Sequence, residues 1–394
     1  MTRCPNCFAA LEPGLFAWAC ASGTCKPGED PTASKFAGES VKLEPVTVVQ
    51  RPSDAPRGWK PAAPCRVCGG PTREVCPECH HRLADGWRSS ATLCLALAGA
   101  RATGKSVYIG ILVKLMQTVL AERLRTQVDA ADPRTLEIYQ TAYERTLFEQ
   151  RNLLPATTSI RTGAAQQREP LVWSLGMVQG VRTFVVIRDV AGEDLESPSG
   201  LDARLRFFRN ADGVLFLFDP LAVEEVRLAL QGKVPEQLHR GGDPATVLGS
   251  VLSLIGDRRP RIGIALSKFD ALHALRDVDG AGLTKVMSNT GAAFLRESPE
   301  DALWRVGDKH RLQPRDDADG RLLHLEIRSL LQRLNAVTMI NALENPASGA
   351  PINHRFFAVS ALGESPDGER LNPRGISPFR CLDPLMWLLD AVWN

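Results

Sequence analysis

Two parts of the sequence carry residue types that bind metal ions and phosphate groups. Eight of the ten cysteines lie within the first 79 residues: Cys4, Cys7, Cys20, Cys25, Cys65, Cys68, Cys76 and Cys79. Paired cysteines in a chain without a signal-peptide core are typical of metal sites rather than disulfides. The second part is residues 99–106, which read Gly-Ala-Arg-Ala-Thr-Gly-Lys-Ser.

The cysteine spacing predicts two structural zinc sites. One tetrahedral Zn²⁺ is assigned to the C-x₂-C-x₇-C-x₂-C set, Cys65, Cys68, Cys76 and Cys79. A second Zn²⁺ is assigned to the set nearest the N-terminus, Cys4, Cys7, Cys20 and Cys25. Four thiolates complete each coordination sphere, so neither ion is expected to be catalytic. His80 and His81 follow the last cysteine and are the alternative ligands.

Residues 99–106 fit the pattern G-x-x-x-x-G-K-[ST] between a predicted strand and a predicted helix. The glycines let backbone N–H groups point at phosphate oxygens, Lys105 would reach the β- and γ-phosphates, and Ser106 would ligate Mg²⁺. The N-terminus of the following helix adds positive potential. The candidate nucleotide-binding residues of this segment are Gly99, Ala102, Thr103, Gly104, Lys105, Ser106 and Val107.

Three further short motifs each follow an apolar run that predicts a strand. Asp189 could bind Mg²⁺ through water, and the N–H of Gly192 could sense the γ-phosphate. In the stretch Ser-Lys-Phe-Asp of residues 267–270, Asp270 could accept hydrogen bonds from guanine N1–H and its 2-amino group. Backbone N–H groups of the third motif could meet guanine O6, and this motif is Ser360, Ala361 and Leu362. Open α/β sheets bind ligands at this edge, where strands end.

Together these stretches resemble the G1, G3, G4 and G5 motifs of Ras-like GTPases of the TRAFAC class, over residues 92–394. The resemblance implies GTP or GDP with Mg²⁺ as cofactors, and a guanine-specificity pair formed by Lys268 and Asp270. It implies catalytic roles for Lys105 and Gly192. The cysteine-rich leader and the insertions are similar to bacterial TRAFAC proteins called double-GTPases.

The sequence departs from the family pattern in three places. Ser267 replaces the usual asparagine, and Leu362 replaces a common lysine. Glu193 stands where Ras-like proteins have the glutamine that orients the attacking water. Glu193 is a candidate catalytic residue, because a carboxylate there could hold the water. It lies close to phosphate charge, so we predict slow intrinsic hydrolysis that a protein partner accelerates.

The switch I residue is less well defined by the sequence. Thr158 is the favoured Mg²⁺ ligand and catalytic threonine, followed by Thr157 and then Thr162; ordinary loop threonines are the alternative. Arg151 and Arg161 flank this segment, and either could supply positive charge to the transition state.

The elements that must position these motifs are predicted from apolar periodicity. Strand-like runs at 92–98, 171–178, 183–187, 213–218, 261–266 and 355–359 alternate with helical stretches. This alternation predicts an α/β fold with a mostly parallel sheet and helices on both faces. The second and third runs should form an antiparallel hairpin at one edge. Helices are expected over 107–122, 133–150, 283–295 and 322–343, with a polar break at 311–321.

These patterns divide the chain into four parts. Zinc ribbons occupy residues 1–25 and 65–91, and a linker at 26–64 contains seven prolines and should be extended. The P-loop GTPase domain covers 92–394, with helical insertions at about 123–155 and 281–345.

Composition limits the partners. The 394 residues carry 47 basic and 45 acidic side chains, a net charge of +2, and no apolar run approaches the roughly 18 residues that span a bilayer. We therefore expect a cytoplasmic protein without membrane contact. Residues 1–91 hold 11 basic and 9 acidic side chains, and eight thiolates on two Zn²⁺ make this part net negative, which disfavours nucleic acid.

Four functions remain in view from the sequence. The favoured one is a slow GTPase switch that acts through protein partners. The alternatives are a guanine-nucleotide-bound scaffold with negligible turnover, an ATPase, and a zinc-ribbon nucleic-acid adapter with a regulatory NTPase.

Overall fold

A computed structural model of the chain describes all residues except 1, 57–58, 60–63, 156–158, 160–168, 199–201, 233, 235–241, 278–282, 308–316, 347–348, 350, 367, 369 and 394. The strands are β1 (Leu15–Cys20), β2 (Gly28–Glu29), β3 (Lys42–Leu43), β4 (Val46–Gln50), β5 (Thr72–Val75), β6 (Ala91–Ala98), β7 (Asp129–Ala130), β8 (Leu171–Val178), β9 (Val181–Arg188), β10 (Gly213–Phe218), β11 (Arg261–Leu266) and β12 (His354–Ala358).

The helices alternate with the later strands. They are α1 (Pro31–Ala37), α2 (Lys105–Leu115), α3 (Ala121–Leu124), α4 (Pro133–Tyr139), α5 (Gly192–Glu196), α6 (Asp202–Leu205), α7 (Glu224–Ala229), α8 (Pro244–Ile255), α9 (Phe269–Leu272), α10 (Leu283–Met287), α11 (Pro299–Val306), α12 (Asp317–Arg333), α13 (Val337–Glu344) and α14 (Asp383–Trp393).

The main sheet has the order β12-β11-β10-β6-β9-β8-β7. Strands β6, β9, β10, β11 and β12 pair in parallel, which confirms the predicted α/β class. Strand β10 is buried along its whole length, since helices cover both faces of a parallel sheet. Strand β6, which precedes the candidate phosphate-binding loop, lies in the middle of the sheet.

The predicted hairpin is confirmed, because β8 pairs antiparallel with β9. It is not the outermost element of the sheet, since the two-residue strand β7 pairs with the other side of β8. A strand of two residues is too short to be recognised from periodicity.

The predicted helices differ from the observed ones at their ends. The stretch 107–122 becomes α2, a wider turn at Met116–Leu120, and α3. The stretch 133–150 becomes α4 and a wide helical turn at Gln140–Glu149. Helix α12 begins at Asp317, inside the expected polar break, and its first turn carries two aspartates that stabilise the positive end of a helix. In 283–295, α10 is followed by a short helical turn at Ala293–Leu295 only.

The described residues of 26–64 include a helix and three strands, rather than the extended linker that the prolines predicted. Asp30 caps α1 by accepting a hydrogen bond from the Ala33 N–H at 2.8 Å, and Pro31 occupies the first turn. Strand β4 pairs antiparallel with β1, whose other side pairs with β5. The described N-terminal residues thus form the three-stranded sheet β4-β1-β5 and the two-stranded sheet β2-β3, rather than two ribbons separated by a tether.

The N-terminal part packs directly on the main domain. Phe8 meets Phe207 edge-on with ring centroids 5.4 Å apart. Trp87 stacks on Phe184 at 4.6 Å and donates its indole N–H to the Arg3 carbonyl oxygen at 2.8 Å. These rings belong to one continuous hydrophobic core.

The helices within the described part of the chain were compared with what a bilayer requires. None of them combines the length and the apolar character needed to cross a membrane.

Candidate functional site

The loop of residues 99–106 joins the carboxyl end of β6 to α2. Gly99 and Gly104 have φ angles of 145° and 84°, and Ala102 has a φ of 59°, so the backbone turns sharply around the loop interior. The Lys105 amine lies inside this turn and donates hydrogen bonds to the Gly99 and Ala100 carbonyl oxygens at 2.8 and 2.9 Å. The loop is therefore folded around a buried positive charge. Thr103 donates its hydroxyl to the Ala100 carbonyl oxygen at 3.0 Å, and Ser106 and Val107 lie in the first turn of α2.

Gly192, at the start of α5, is in van der Waals contact with this loop. A Cβ added to Gly192 would lie 2.4 Å from the Arg101 nitrogen and 2.6 Å from the Ala100 carbonyl carbon. Only a residue without a side chain allows this approach. A Cβ at Gly99 would likewise lie 2.5 Å from the Leu217 carbonyl oxygen. The turn after β9 and the loop after β6 are thus brought together at Gly192.

Two acidic groups act on the Lys105 ammonium. Burial lowers the pKa of Lys105, and the negative charges of Asp189 and Glu196 oppose that shift. Asp189, the predicted Mg²⁺ ligand, therefore acts on the amine that would contact the phosphates. Glu196 was not singled out from the sequence, because nothing in its spacing distinguishes it from a surface glutamate.

Glu193 is one of two carboxylates that pair with Arg101. Its carboxylate lies 3.6 Å from the Arg101 guanidinium, and Glu196 lies 3.3 Å from the same guanidinium. The Glu196 carboxylate also accepts a hydrogen bond from the Arg101 backbone N–H at 3.4 Å. Arg101 occupies a variable position of the motif, so the pattern by itself assigned it no role.

The two loops predicted to face guanine are joined by a hydrogen bond. The Ser360 hydroxyl donates to Asp270 Oδ1 at 2.5 Å, and the Ser365 hydroxyl lies 3.5 Å from Asp270 Oδ2. Ser360 also accepts from the Gly363 N–H at 2.9 Å. These contacts hold the Asp270 carboxylate in one orientation. Ala361 and Leu362 continue the same loop, and Leu362 accepts a hydrogen bond from the Ser377 N–H at 2.9 Å.

Lys268 has a partner that the sequence analysis missed. Its ammonium lies 2.7 Å from Asp219, a buried carboxylate that directly follows β10. Lys268 has a φ of 51°, and Ser267 donates its hydroxyl to the Phe218 carbonyl oxygen at 3.2 Å. Position at the end of a central strand was the signal that could have identified Asp219.

The switch I candidates are only partly covered by the structure. Thr157, Thr158, Thr162 and Arg161 lie outside the described residues. Arg151 donates to the Asn372 and Pro373 carbonyl oxygens at 3.3 and 3.0 Å, so its guanidinium is directed at the C-terminal loop. Ser159, which the structure does describe, donates its hydroxyl to Asp194 of α5 at 2.6 Å.

The eight predicted zinc ligands form two four-thiol sets, but the predicted pairing is wrong. One set is Cys4, Cys7, Cys76 and Cys79, and the other is Cys20, Cys25, Cys65 and Cys68. The reason lies in the antiparallel pairing of β1 with β5, in which Cys20 lies opposite Thr72. This pairing brings the turn before β5 to the end of β1, and leaves the turn after β5 beside the N-terminus. Below, the first set is the buried cluster and the second is the outer cluster.

The geometry of both sets fits Zn²⁺. Sulfurs of Cys4 and Cys79 lie 3.7 Å apart, as do those of Cys20 and Cys68. Four sulfurs at about 2.3 Å from a central zinc are separated by about 3.8 Å in a tetrahedron. In the buried cluster, the Asn6 N–H lies 3.3 Å from the Cys4 sulfur.

The two clusters differ in their surroundings. Burial raises the pKa of the Cys4 thiol, a shift that a bound cation would oppose. In the outer cluster, the Ser22 hydroxyl lowers the pKa of the exposed Cys68 to about 5. Each set consists of thiols alone, so the alternative ligands His80 and His81 belong to neither. His80 instead bonds Asp30 at 2.7 Å. Burial lowers the pKa of His81 to about 4.

The chain was compared with families and solved structures. No protein-family model matches it. The likeness to the crystal structure of bacterial selenocysteine-specific elongation factor EF-Sec spans 77% of this chain and 29% of that one, with 12% identity and a TM-score of 0.28. The likeness to the GTP-bound S. cerevisiae Ski7 GTPase-like domain spans 77% of this chain and 51% of that one, with 13% identity and a TM-score of 0.35. The chain thus spans about half or less of either structure, and at these TM-scores neither likeness supports an inference.

A curated relative is far more similar. It comes from Mycolicibacterium smegmatis and is named "Putative ESX-1 scaffolding and assembly protein SaeC". The two sequences are 44% identical over 395 residues, which cover 99% of each chain. The chain therefore belongs to the SaeC family.

Proposed function

We propose that the chain is a guanine-nucleotide-dependent assembly protein, which binds GTP with Mg²⁺, hydrolyses it slowly and changes its protein contacts with the state of the nucleotide. The observation that carries the proposal is the hydrogen bond from Ser360 to Asp270, which joins two loops at the carboxyl edge of the sheet. An oriented carboxylate can accept both guanine N1–H and the 2-amino group, whereas adenine offers no such pair of donors.

The phosphate end of the nucleotide is bound by the loop after β6. Its backbone N–H groups and Lys105 hold the phosphates, and Ser106, Asp189 and Thr158 complete the Mg²⁺ shell. Gly192 lies against the loop, which supports the proposal that its N–H responds to the γ-phosphate. Hydrolysis changes this contact and releases the segment that begins at Asp189.

The output of the switch is protein assembly. The SaeC relative is named for scaffolding and assembly of ESX-1, and we extend that role to this chain as part of a secretion-type multiprotein system. The zinc-bearing N-terminal part is the candidate docking module, because its charge disfavours nucleic acid. The finer resemblance to double-GTPases remains a prediction.

A second candidate is a scaffold that binds guanine nucleotide with negligible turnover. Glu193 favours this candidate. Its side chain is a carboxylate that pairs with Arg101, whereas the glutamine of Ras-like proteins has an amide that can orient water. Both candidates require guanine binding, and only the rate of phosphate release separates them.

The test is titration of zinc-loaded protein with fluorescent GDP, GTP and ATP in the presence of Mg²⁺, followed by measurement of phosphate release. Binding of GDP and GTP with little binding of ATP is the expected result. Equal binding of ATP would overturn the guanine assignment. Slow phosphate release supports the switch, whereas none over many hours supports the scaffold.

A further inference from the structure

Arg101 lies in the phosphate loop and is paired with two carboxylates from the following switch segment. Glu193 and Glu196 lie one turn apart on α5, and their carboxylates are 3.6 and 3.3 Å from the Arg101 guanidinium. The arginine side chain is about half exposed, so it is only partly packed against the loop surface. These pairs are exchangeable contacts at the surface of the loop.

Glu196 occupies a position that suits an anion. Its Oε1 accepts from the Arg101 backbone N–H at 3.4 Å, and its charge acts on the buried Lys105 ammonium. A Cβ at Gly242 would lie 2.2 Å from the same oxygen, so Gly242 lies directly against the Glu196 carboxylate. A backbone N–H and an ammonium are the groups that such a loop offers to phosphate oxygens.

From these contacts we propose that Arg101 is a catalytic arginine supplied by the phosphate loop itself, and that the Glu193 and Glu196 carboxylates hold it away from the γ-phosphate until GTP displaces them. This inference rests on the proposed function and names a residue beyond it. Arg151, one of the two arginines that the sequence offered for this role, instead donates to carbonyl oxygens of the C-terminal loop.

The chemical step is ordinary phosphoanhydride hydrolysis. A water oxygen forms a bond to the γ-phosphorus, the bond to the β–γ bridging oxygen breaks, and GDP, inorganic phosphate and a proton leave. Negative charge grows on the bridging oxygen and remains high on the γ-oxygens, and a guanidinium fork stabilises it. The same fork binds GTP more strongly than GDP, because GDP has no γ-phosphate.

The experiment compares Arg101→Ala with the wild type in three measurements: affinity for GTPγS, affinity for GDP, and single-turnover hydrolysis of GTP. The expected result is about a tenfold loss of GTPγS affinity, an unchanged GDP affinity, and a further loss of about 10- to 100-fold in hydrolysis. The matched control is Arg305→Ala, since Arg305 has similar exposure and pairs with Glu297 at 2.7 Å away from the loop.

A second set of variants tests the carboxylates. Glu193→Gln with Glu196→Gln should raise GTPγS affinity several-fold and leave GDP affinity unchanged. Loss of negative charge alone would also raise GTPγS affinity, so the pair is repeated in the Arg101→Ala background. The gain must shrink there if the carboxylates act by holding the arginine.

Each outcome decides between the hypotheses. Equal losses of GDP and GTPγS affinity in Arg101→Ala would make the residue structural and overturn this proposal alone. Unchanged GTPγS affinity and hydrolysis in Arg101→Ala would also overturn it. Wild-type protein that binds no guanine nucleotide would overturn the proposed function first, and this inference with it.

Discussion

The Arg188 guanidinium donates a hydrogen bond to the Asn6 carbonyl oxygen, inside the turn that carries Cys4 and Cys7. Arg188 is the last residue of β9 and directly precedes Asp189, the candidate Mg²⁺ ligand. It is half-buried, and although burial lowers the pKa of Arg188 to about 10, the neighbouring cysteines oppose that shift. Arg188 therefore links the turn of the buried cluster to Asp189, the candidate Mg²⁺ ligand.

This contact predicts that Arg188→Ala loses zinc from the buried cluster. A zinc ion with four thiolates carries two negative charges, and the Arg188 guanidinium is a partly buried counter-charge for them. We expect faster transfer of one of two zinc ions to a colorimetric chelator, together with weaker nucleotide binding. Arg182→Ala is the control, since Arg182 lies on the same strand over the Phe184 ring. Equal zinc release in both variants would contradict the prediction.

The pairing of the cysteines predicts how zinc content responds to double substitutions. Cys4→Ser with Cys76→Ser should remove one zinc, because both belong to the buried cluster. Cys4→Ser with Cys20→Ser should remove both, because Cys20 belongs to the outer cluster. Zinc per chain is measured by elemental mass spectrometry on folded protein. One zinc lost in the second variant, and two in the first, would restore the pairing expected from the spacing.

Stability should distinguish the clusters as well. Cys79 is buried in the main core, whereas Cys68 is exposed. Cys79→Ser should lower the melting temperature much more than Cys68→Ser, since it leaves a buried polar site without its metal. Thermal unfolding with zinc present checks this, and equal shifts would show that burial is not the deciding factor.

The contact between Ser360 and Asp270 predicts base specificity. Asp270→Asn replaces a charged acceptor, which costs about 1.5–3 kcal/mol of binding free energy, or roughly 10- to 150-fold in GTP affinity. The same variant should favour xanthosine triphosphate, because xanthine presents a carbonyl where guanine presents its 2-amino group. Ser360→Ala should weaken GTP less, since only the orientation of the carboxylate is lost. An unchanged preference in Asp270→Asn, measured by competition, would contradict the assignment.

Close packing of Gly192 predicts a selective loss of binding. Gly192→Ala would place a methyl group 2.4 Å from the Arg101 nitrogen and displace the loop. Overpacking of this kind costs about 1–3 kcal/mol, and we expect nucleotide affinity to fall by roughly 5- to 150-fold. Gly249→Ala is the control, because no atom lies within 4 Å of its added Cβ. It lies within α8 and should leave nucleotide affinity unchanged and raise stability.

Asp301 predicts a pH dependence of stability. Burial, with a smaller effect from Asp383, raises the pKa of Asp301 from 3.8 to about 7 in the folded protein. The folded state therefore binds this proton more tightly than the unfolded state between these pH values. Its contribution to the free energy of unfolding is full below about pH 4 and is lost as the pH rises to about 7.

The variant Asp301→Asn removes this titration. Asp301 accepts hydrogen bonds from the Arg380 N–H and the Ser298 N–H at 2.9 Å, so the variant is expected to be less stable overall. The decisive quantity is the slope: the wild type should lose stability relative to the variant as the pH rises from about 4 to about 7. Urea unfolding at several pH values measures this, and parallel curves would contradict it.

Much of the main domain was determined by the sequence alone. Strands such as β6 and β10 are continuous apolar runs, and a strand with both faces buried needs no knowledge of its neighbours to be recognised. The loop from Gly99 to Ser106 follows from local backbone requirements, namely glycines at sharp turns. The eight cysteines that form the two candidate zinc clusters were likewise identified from short spacing.

Contacts between distant parts of the chain were decided only by the tertiary structure. Cys4 joins Cys76 because of the pairing of β1 with β5, and spacing along the chain does not encode which turns meet. Arg101 meets Glu193 and Glu196 because Gly192 permits a close backbone approach between two loops. Local patterns record which residues can do chemistry, whereas the pairing of partners depends on long-range packing, which a single sequence does not specify.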